Sequence, residues 1–232
     1  MIRLIIFDAD NTLYKTRRAG KLAYRAAILE AAKLTDIPSQ KLYNEWAKIV
    51  KRLQRSCAPR MRDQKFSFTQ LLKAHGAYSE KNVHAMYEVF LNELLRRLAT
   101  HRGVKTTLRT LRRRGVKLAV ISEEKKELLE TKLSHCGLLC YFDAIVSRDT
   151  VGQMKPSPEY YRKVLDMLNT APAAQILPSE VIVMGDSYEK DLKEANTLGM
   201  VTVLFAKRRE GKPNHHIREF AKVLSLAPVR RA

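Results

Sequence analysis

A doubly wound α/β fold, with a Rossmann-like parallel sheet and an inserted all-helical segment, is what this sequence predicts. Three observations predict it. Short runs rich in Ile, Val and Leu recur along the chain, and helical patterns that close at glycine lie between them. The runs are apolar throughout instead of alternating, as expected of strands buried on both faces of a parallel sheet. Residues 16–98 break the alternation with two glycines, two prolines and no strand signal.

The first strand is expected over residues 2–7, followed by strands over 116–121, 144–146, 181–184 and 201–205. Helices are expected over 104–113, closing at Gly115; over 123–136, closing at Gly137; over 158–168; and over 189–198, closing at Gly199. Within the insertion, Leu22, Ala26, Leu29 and Lys33 set one helix face. Leu42, Trp46, Ile49 and Leu53 set a second, and Val83, Met86, Phe90, Leu94 and Leu98 a third, so about four helices are expected. Trp46 and these aliphatic stripes read as plain core packing. Residues 1–15 and 99–232 then form the α/β core, and 16–98 a helical cap.

At 232 residues, with 45% hydrophobic and 29% charged side chains, the chain can bury a real core, which excludes collagen-like, low-complexity and wholly disordered classes. The apolar runs are too short to span a bilayer, and carboxylates come too early in MIRLIIFDAD for a signal peptide. Cys57, Cys136 and Cys140 form no CxxC pair, so a disulfide framework is not indicated. A cytoplasmic protein without membrane contact is the expectation. The net charge of +19 is spread along the chain and suits an anionic partner, whether nucleic acid, a membrane surface or a phosphorylated metabolite, and equally a solubility device or a thermophile's charge-rich surface; charge alone does not choose.

The polar groups that matter follow strand ends. The first strand runs into Asp8 and Asp10, the second into Ser122, the third toward Lys155, and the fourth into Gly185 and Asp186. Ligands of open parallel sheets bind just outside the carboxyl ends of the strands, so these remote segments are expected to converge. One Asp at a strand end is more often a turn or cap residue; a set of four charged groups arriving at one crevice reverses that judgement. Gathering Asp8, Asp10 and Asp186 is costly without a cation, and Mg²⁺ suits an oxygen-rich site that leaves room for water and phosphate. Lys155 adds a point charge and Ser122 a hydrogen-bond donor. Together they fit phosphoryl transfer, where positioning and charge neutralisation dominate.

DADNT at 8–12, Ser122 after a strand, Lys155 in KPSP and GDSYEKD at 185–191 resemble, in order and spacing, the haloacid dehalogenase superfamily with a helical type 1 cap, in its phosphatase branch. The resemblance covers nearly the whole chain. It implies that Asp8 is a nucleophile forming an aspartyl-phosphate and that Asp10 is the general acid and base. It implies Mg²⁺ held by Asp8, the Asp10 backbone carbonyl and Asp186, with Asp191 nearby or reaching the metal through water. Thr12 and Ser122 would orient nucleophile and phosphate, and Lys155 would stabilise developing charge. Asp10 favours the phosphatases over the dehalogenases that attack carbon. The implied substrate is a small phosphate monoester: a nucleotide, by the FDADNTLY form, or phosphoglycolate or a sugar phosphate.

Some features lie outside that pattern. Glu123 follows Ser122 where many members place a neutral residue, and is expected to cap the next helix at its N-terminus or to face solvent. Arg17 and Arg18 are candidates for a substrate carboxylate or second phosphate, whereas Arg96, Arg97 and Arg112 to Arg114 read as solvated helix faces. His215 and His216 fall in a polar tail without a clear signal. The alternative function is a nucleic-acid-binding protein, or a phosphatase of polyanions, using the basic surface. No helix-turn-helix or aromatic RNP pattern accompanies it. Oligomeric state is not legible.

Overall fold

The computed structural model describes residues 1–55, 63–169 and 175–227; Cys57 lies outside them. The chain divides into two compact units, Met1–Lys15 with Ala99–Ala232, and Thr16–Leu98. In chain order it forms β1 (Leu4–Asp8), α1 (Thr16–Thr35), α2 (Ser39–Arg55), α3 (Gln64–Ala74), α4 (Glu80–Arg97), α5 (Val104–Arg113) and β2 (Lys117–Ile121). It continues through α6 (Lys126–His135), β3 (Ala144–Val146), α7 (Arg148–Val151), α8 (Glu159–Leu168), β4 (Val181–Gly185), α9 (Lys193–Thr197), β5 (Val201–Phe205) and β6 (His215–Ile217). No described helix is long and apolar enough to cross a membrane.

The sheet is six-stranded, ordered β3-β2-β1-β4-β5-β6, and every pair is parallel. Strand order reverses between β1 and β4, the point where a crevice opens above the carboxyl ends of such a sheet. Side chains alternate between the two faces. On one, Leu4 and Ile6 join Tyr160, Tyr161 and Val164 of α8 and Leu192 and Ala195 around α9. On the other, Phe7 stacks on Phe220 at 5.6 Å between ring centroids. Burial on both faces explains the uninterrupted apolar runs.

His215 and His216 are not in a tail: they pair with Val203 and Leu204 as edge strand β6. A three-residue polar strand hydrogen-bonded on one side carries no apolar run, so its sequence is silent. Asn214 secures it, accepting from the Thr202 backbone N–H at 2.8 Å.

In the helical unit, the stripe on α4 is buried as its spacing predicts: Val83, Met86, Phe90 and Leu94. On α1 the buried face is Ala19, Ala23, Ala27, Ile28 and Ala31, not Leu22, Ala26, Leu29 and Lys33; Leu29 is 54% exposed. Small alanines beside Ile28 let α1 lie close against α4, and Leu29 is left on the outside. Trp46 anchors this unit. Its ring lies 4.4 Å from that of Tyr24 and its indole N–H donates to Ser67 Oγ at 3.2 Å. Trp46→Ala is expected to destabilise the unit by about 3–5 kcal/mol, read from thermal or denaturant unfolding. A change below about 1 kcal/mol would show that the aromatic cluster is not its core.

Several basic residues are engaged locally. Arg96 and Arg97 both pair with Glu93, Arg112 pairs with Asp143, and Arg114 donates to the Leu224 and Ala227 carbonyls at 2.6 Å. Arg17 and Arg18 are exposed in the first turn of α1.

Candidate active site

Asp8 is the last residue of β1 and is 6% exposed. The chain then turns sharply, with Asn11 at φ 61°, a left-handed conformation that asparagine tolerates. Hydrogen bonds from Leu13 N to Ala9 O (2.9 Å) and from Asn11 N to Tyr14 O (2.7 Å) close the turn. It brings Thr12 back under Asp8, where Thr12 Oγ1 donates to Asp8 Oδ2 at 3.1 Å. Lys155, 8% exposed between α7 and α8, donates to the other Asp8 oxygen at 2.5 Å and to Asp191 Oδ1 at 2.9 Å.

Asp186 follows β4, and Asp191 lies in a single π-helical turn, Tyr188–Leu192, a distortion often found at functional positions. Ser187 N donates to Asp191 Oδ2 at 3.1 Å, and the Tyr161 hydroxyl donates to the Asp191 carbonyl at 2.6 Å. Carboxylate oxygens of Asp8, Asp186 and Asp191 all lie within 4.8 Å of one another. Ser122 is buried at the end of β2, and its hydroxyl oxygen accepts from Glu124 N at 3.2 Å. The structure therefore places Asp8, Thr12, Lys155, Asp186, Asp191 and Ser122 at the carboxyl ends of adjoining central strands or in the turns beyond them.

The electrostatics of the cluster follow from burial. Loss of water pushes Asp8 well above the ordinary carboxylate range, and Asp191 adds to the push while Lys155 opposes it. Burial pulls the Lys155 ammonium down, but Asp191 and Asp8 outweigh it and hold it well above the usual lysine value. Lys155 is shared by Asp8 and Asp191, and Asp186 adds a third carboxylate to a donor set made wholly of oxygen. Such a set fits a hard divalent cation.

Gly185 makes the approach possible. A Cβ at this position would lie 2.4 Å from Asp191 Cβ and 2.8 Å from Asp191 Oδ2, closer than atoms can pack. Gly185→Ala is therefore expected to displace Asp191, lowering kcat/KM about 10²-fold and stability by about 1–3 kcal/mol. Kinetics within threefold of wild type would mean that Asp191 has no positional role.

Asp10 is half-buried, and its carboxyl stands apart from the group of three among the described residues. It faces Lys132, whose Nζ donates to Asp10 Oδ1 at 2.7 Å and lies 2.5 Å from Glu124 Oε2. Tyr14 flanks the same lysine, its ring centroid 5.1 Å from Nζ. Sequence reasoning missed Lys132, Glu124, Tyr14 and Tyr161. One signal was present: Lys132 falls at helical spacing among Leu128, Leu129 and Leu133, a lysine on the buried face of α6. Glu123 neither faces solvent nor caps α6. It is 6% exposed, and the residue that starts the helix is Lys125, two positions later.

A sequence profile of haloacid dehalogenase-like hydrolases matches residues 2–199. A glyceraldehyde 3-phosphate phosphatase of Methanopyrus kandleri is 32% identical over 207 residues, 88% of this chain and 83% of that protein. A ribulose-1,5-bisphosphate 5-phosphatase of Halopiger xanaduensis is 27% identical over 210 residues, 88% and 85% of the two chains. Among solved structures, a HAD phosphatase from Thermococcus onnurineus superposes with a TM-score of 0.79 over 100% of both chains at 22% identity, a likeness of fold.

Proposed function

We propose, on the premise that this chain belongs to the haloacid dehalogenase-like hydrolases and is a phosphoric monoester hydrolase, that it is a Mg²⁺-dependent phosphatase of small sugar phosphates working through a phosphorylated Asp8. The supporting observation is Asp8 itself: a buried carboxylate at the end of the central strand, held by Thr12 and Lys155 beside two further carboxylates. Mg²⁺ would be held by Asp8, Asp186, Asp191 and the Asp10 carbonyl; when bound it offsets their mutual repulsion and draws charge from a phosphoryl oxygen.

The chain's own groups supply the rest. Asp8 attacks phosphorus as the ester P–O bond breaks, and the Asp10 carboxyl gives its proton to the departing alcohol oxygen. Asp10, now a carboxylate, takes a proton from the water that attacks the acyl phosphate, freeing Asp8 and inorganic phosphate. Lys155 and the Ser122 hydroxyl donate to phosphoryl oxygens, stabilising the charge that spreads over them.

The substrate class rests on the two relatives. Glyceraldehyde 3-phosphate and the 5-position of ribulose-1,5-bisphosphate are both phosphate esters of a primary alcohol on a short hydroxylated chain with a carbonyl group. A panel of glyceraldehyde 3-phosphate, pentose phosphates, phosphoglycolate and nucleoside monophosphates, with Mg²⁺ or EDTA, tests the reading. Metal-dependent release of phosphate with the highest kcat/KM on a sugar phosphate is expected. A nucleotide or phosphoglycolate ranked first would overturn the substrate class. No turnover on any ester would leave a nucleic-acid end or a phosphoprotein as the substrate.

A further inference from the structure

Helix α6 buries a lysine on its apolar side. The Lys132 side chain is 1% exposed, and Leu128, Leu129 and Leu133 form the same face. Taking an ammonium out of water is costly unless it is paired, so a methionine or leucine here would satisfy packing more cheaply. Its surroundings are specific. Nζ reaches Asp10 Oδ1 at 2.7 Å, Glu124 Oε2 lies 2.5 Å away, and the face of Tyr14 closes a third side. Burial alone would push the ammonium toward neutrality, but Asp10 and Glu124 outweigh it and hold it above the usual lysine value.

We propose that Lys132 is a positioning residue that aims the Asp10 carboxyl at the leaving oxygen, an inference that rests on Asp10 being the acid and base described above. Lys132 occupies Oδ1 and so fixes the plane of the carboxyl. Oδ2, to which no donor is bonded among the described residues, is the oxygen left to meet the substrate. The proton on Oδ2 passes to the ester oxygen as the P–O bond breaks, and the same atom later receives a proton from water. Glu124 holds Lys132 from the other side, so the lysine keeps its place whether Asp10 is carboxyl or carboxylate.

The leaving group provides the test. A p-nitrophenolate departs without a proton, whereas a primary alkoxide needs one, and kcat/KM reports the steps up to that departure. Lys132→Met is expected to lower kcat/KM about 10²-fold for a primary-alcohol ester such as glyceraldehyde 3-phosphate, and less than about threefold for p-nitrophenyl phosphate. Similar losses on both esters, or none on the alkyl ester, would overturn the proposal.

If circular dichroism shows that Lys132→Met does not fold, Glu124→Gln replaces it. This variant keeps the lysine and a partner of the same shape, and a selective loss of about fivefold on the alkyl ester is expected, because a neutral partner holds the ammonium less firmly. Equal losses or none would again overturn the proposal. Asp10→Asn and Asp8→Asn run alongside. Equal losses on both esters for Asp10→Asn would sink Asp10 as the acid, and an active Asp8→Asn would sink the nucleophile. Each failure is thus separate from that of Lys132.

Discussion

Asp8→Asn is expected to lower kcat on the best ester by at least about 10⁴-fold, because the amide keeps the shape of the carboxylate and loses its nucleophilic oxygen. The fold should survive. Lys155 retains Asp191 at 2.9 Å, so no buried cation is stranded, and an amide escapes the burial that disfavours the Asp8 anion. The protein should also cease to trap phosphate. Acid quenching during turnover with radiolabelled ester should leave label on the wild-type chain at Asp8 and none on the variant. An unlabelled wild type, or a variant within about 100-fold of it, would remove Asp8 from the reaction.

Lys155→Met is expected to damage both activity and stability. The Lys155 side chain is 3% exposed and its ammonium is shared by Asp8 and Asp191; without it two buried carboxylates face each other and Asp186. Removing one partner from a buried ion pair costs about 3–5 kcal/mol, equivalent to a fall in Tm of roughly 6–20 °C in a protein of this size. The loss of charge stabilisation at phosphorus should lower kcat about 10²–10³-fold. Added Mg²⁺ should then raise the Tm of the variant more than that of the wild type, because the cluster lacks the ammonium shared by Asp8 and Asp191. A Tm within about 1 °C of wild type, or an equal response to Mg²⁺, would contradict this account.

What the sequence disclosed followed from periodicity and from strand ends. The five apolar runs became β1 to β5 because strands buried on both faces must be apolar throughout, and the motif residues at their ends were legible for the same reason. The hidden parts lacked that signature. Strand β6 is short and polar, and its place depends on Asn214 and on a neighbour that offers it an edge. The buried face of α1 is hard to see in the sequence because a stripe of alanines carries a weak apolar signal, although its small volume is what allows close packing. A negative charge beside a phosphate site suggests that Glu123 caps the next helix or faces solvent, but α6 begins later than its sequence suggests and Glu123 is buried. Lys132 and Glu124 required three-dimensional placement: nothing in the spacing between Asp10 and α6 states that they touch.

The central position of β1 also bears on how the molecule comes to be assembled. Its partners are residues 117–121 on one side and 181–184 on the other, while the strand itself occupies residues 4–8. Such distant pairings exact loop-closure entropy before they yield any contact, which slows the search for the native state. During synthesis Asp8 precedes β2 by about half of the chain's length and β4 by about three-quarters. The group assigned the attack on phosphorus is among the earliest residues made and can be locked into place only when the strand carrying Gly185 arrives.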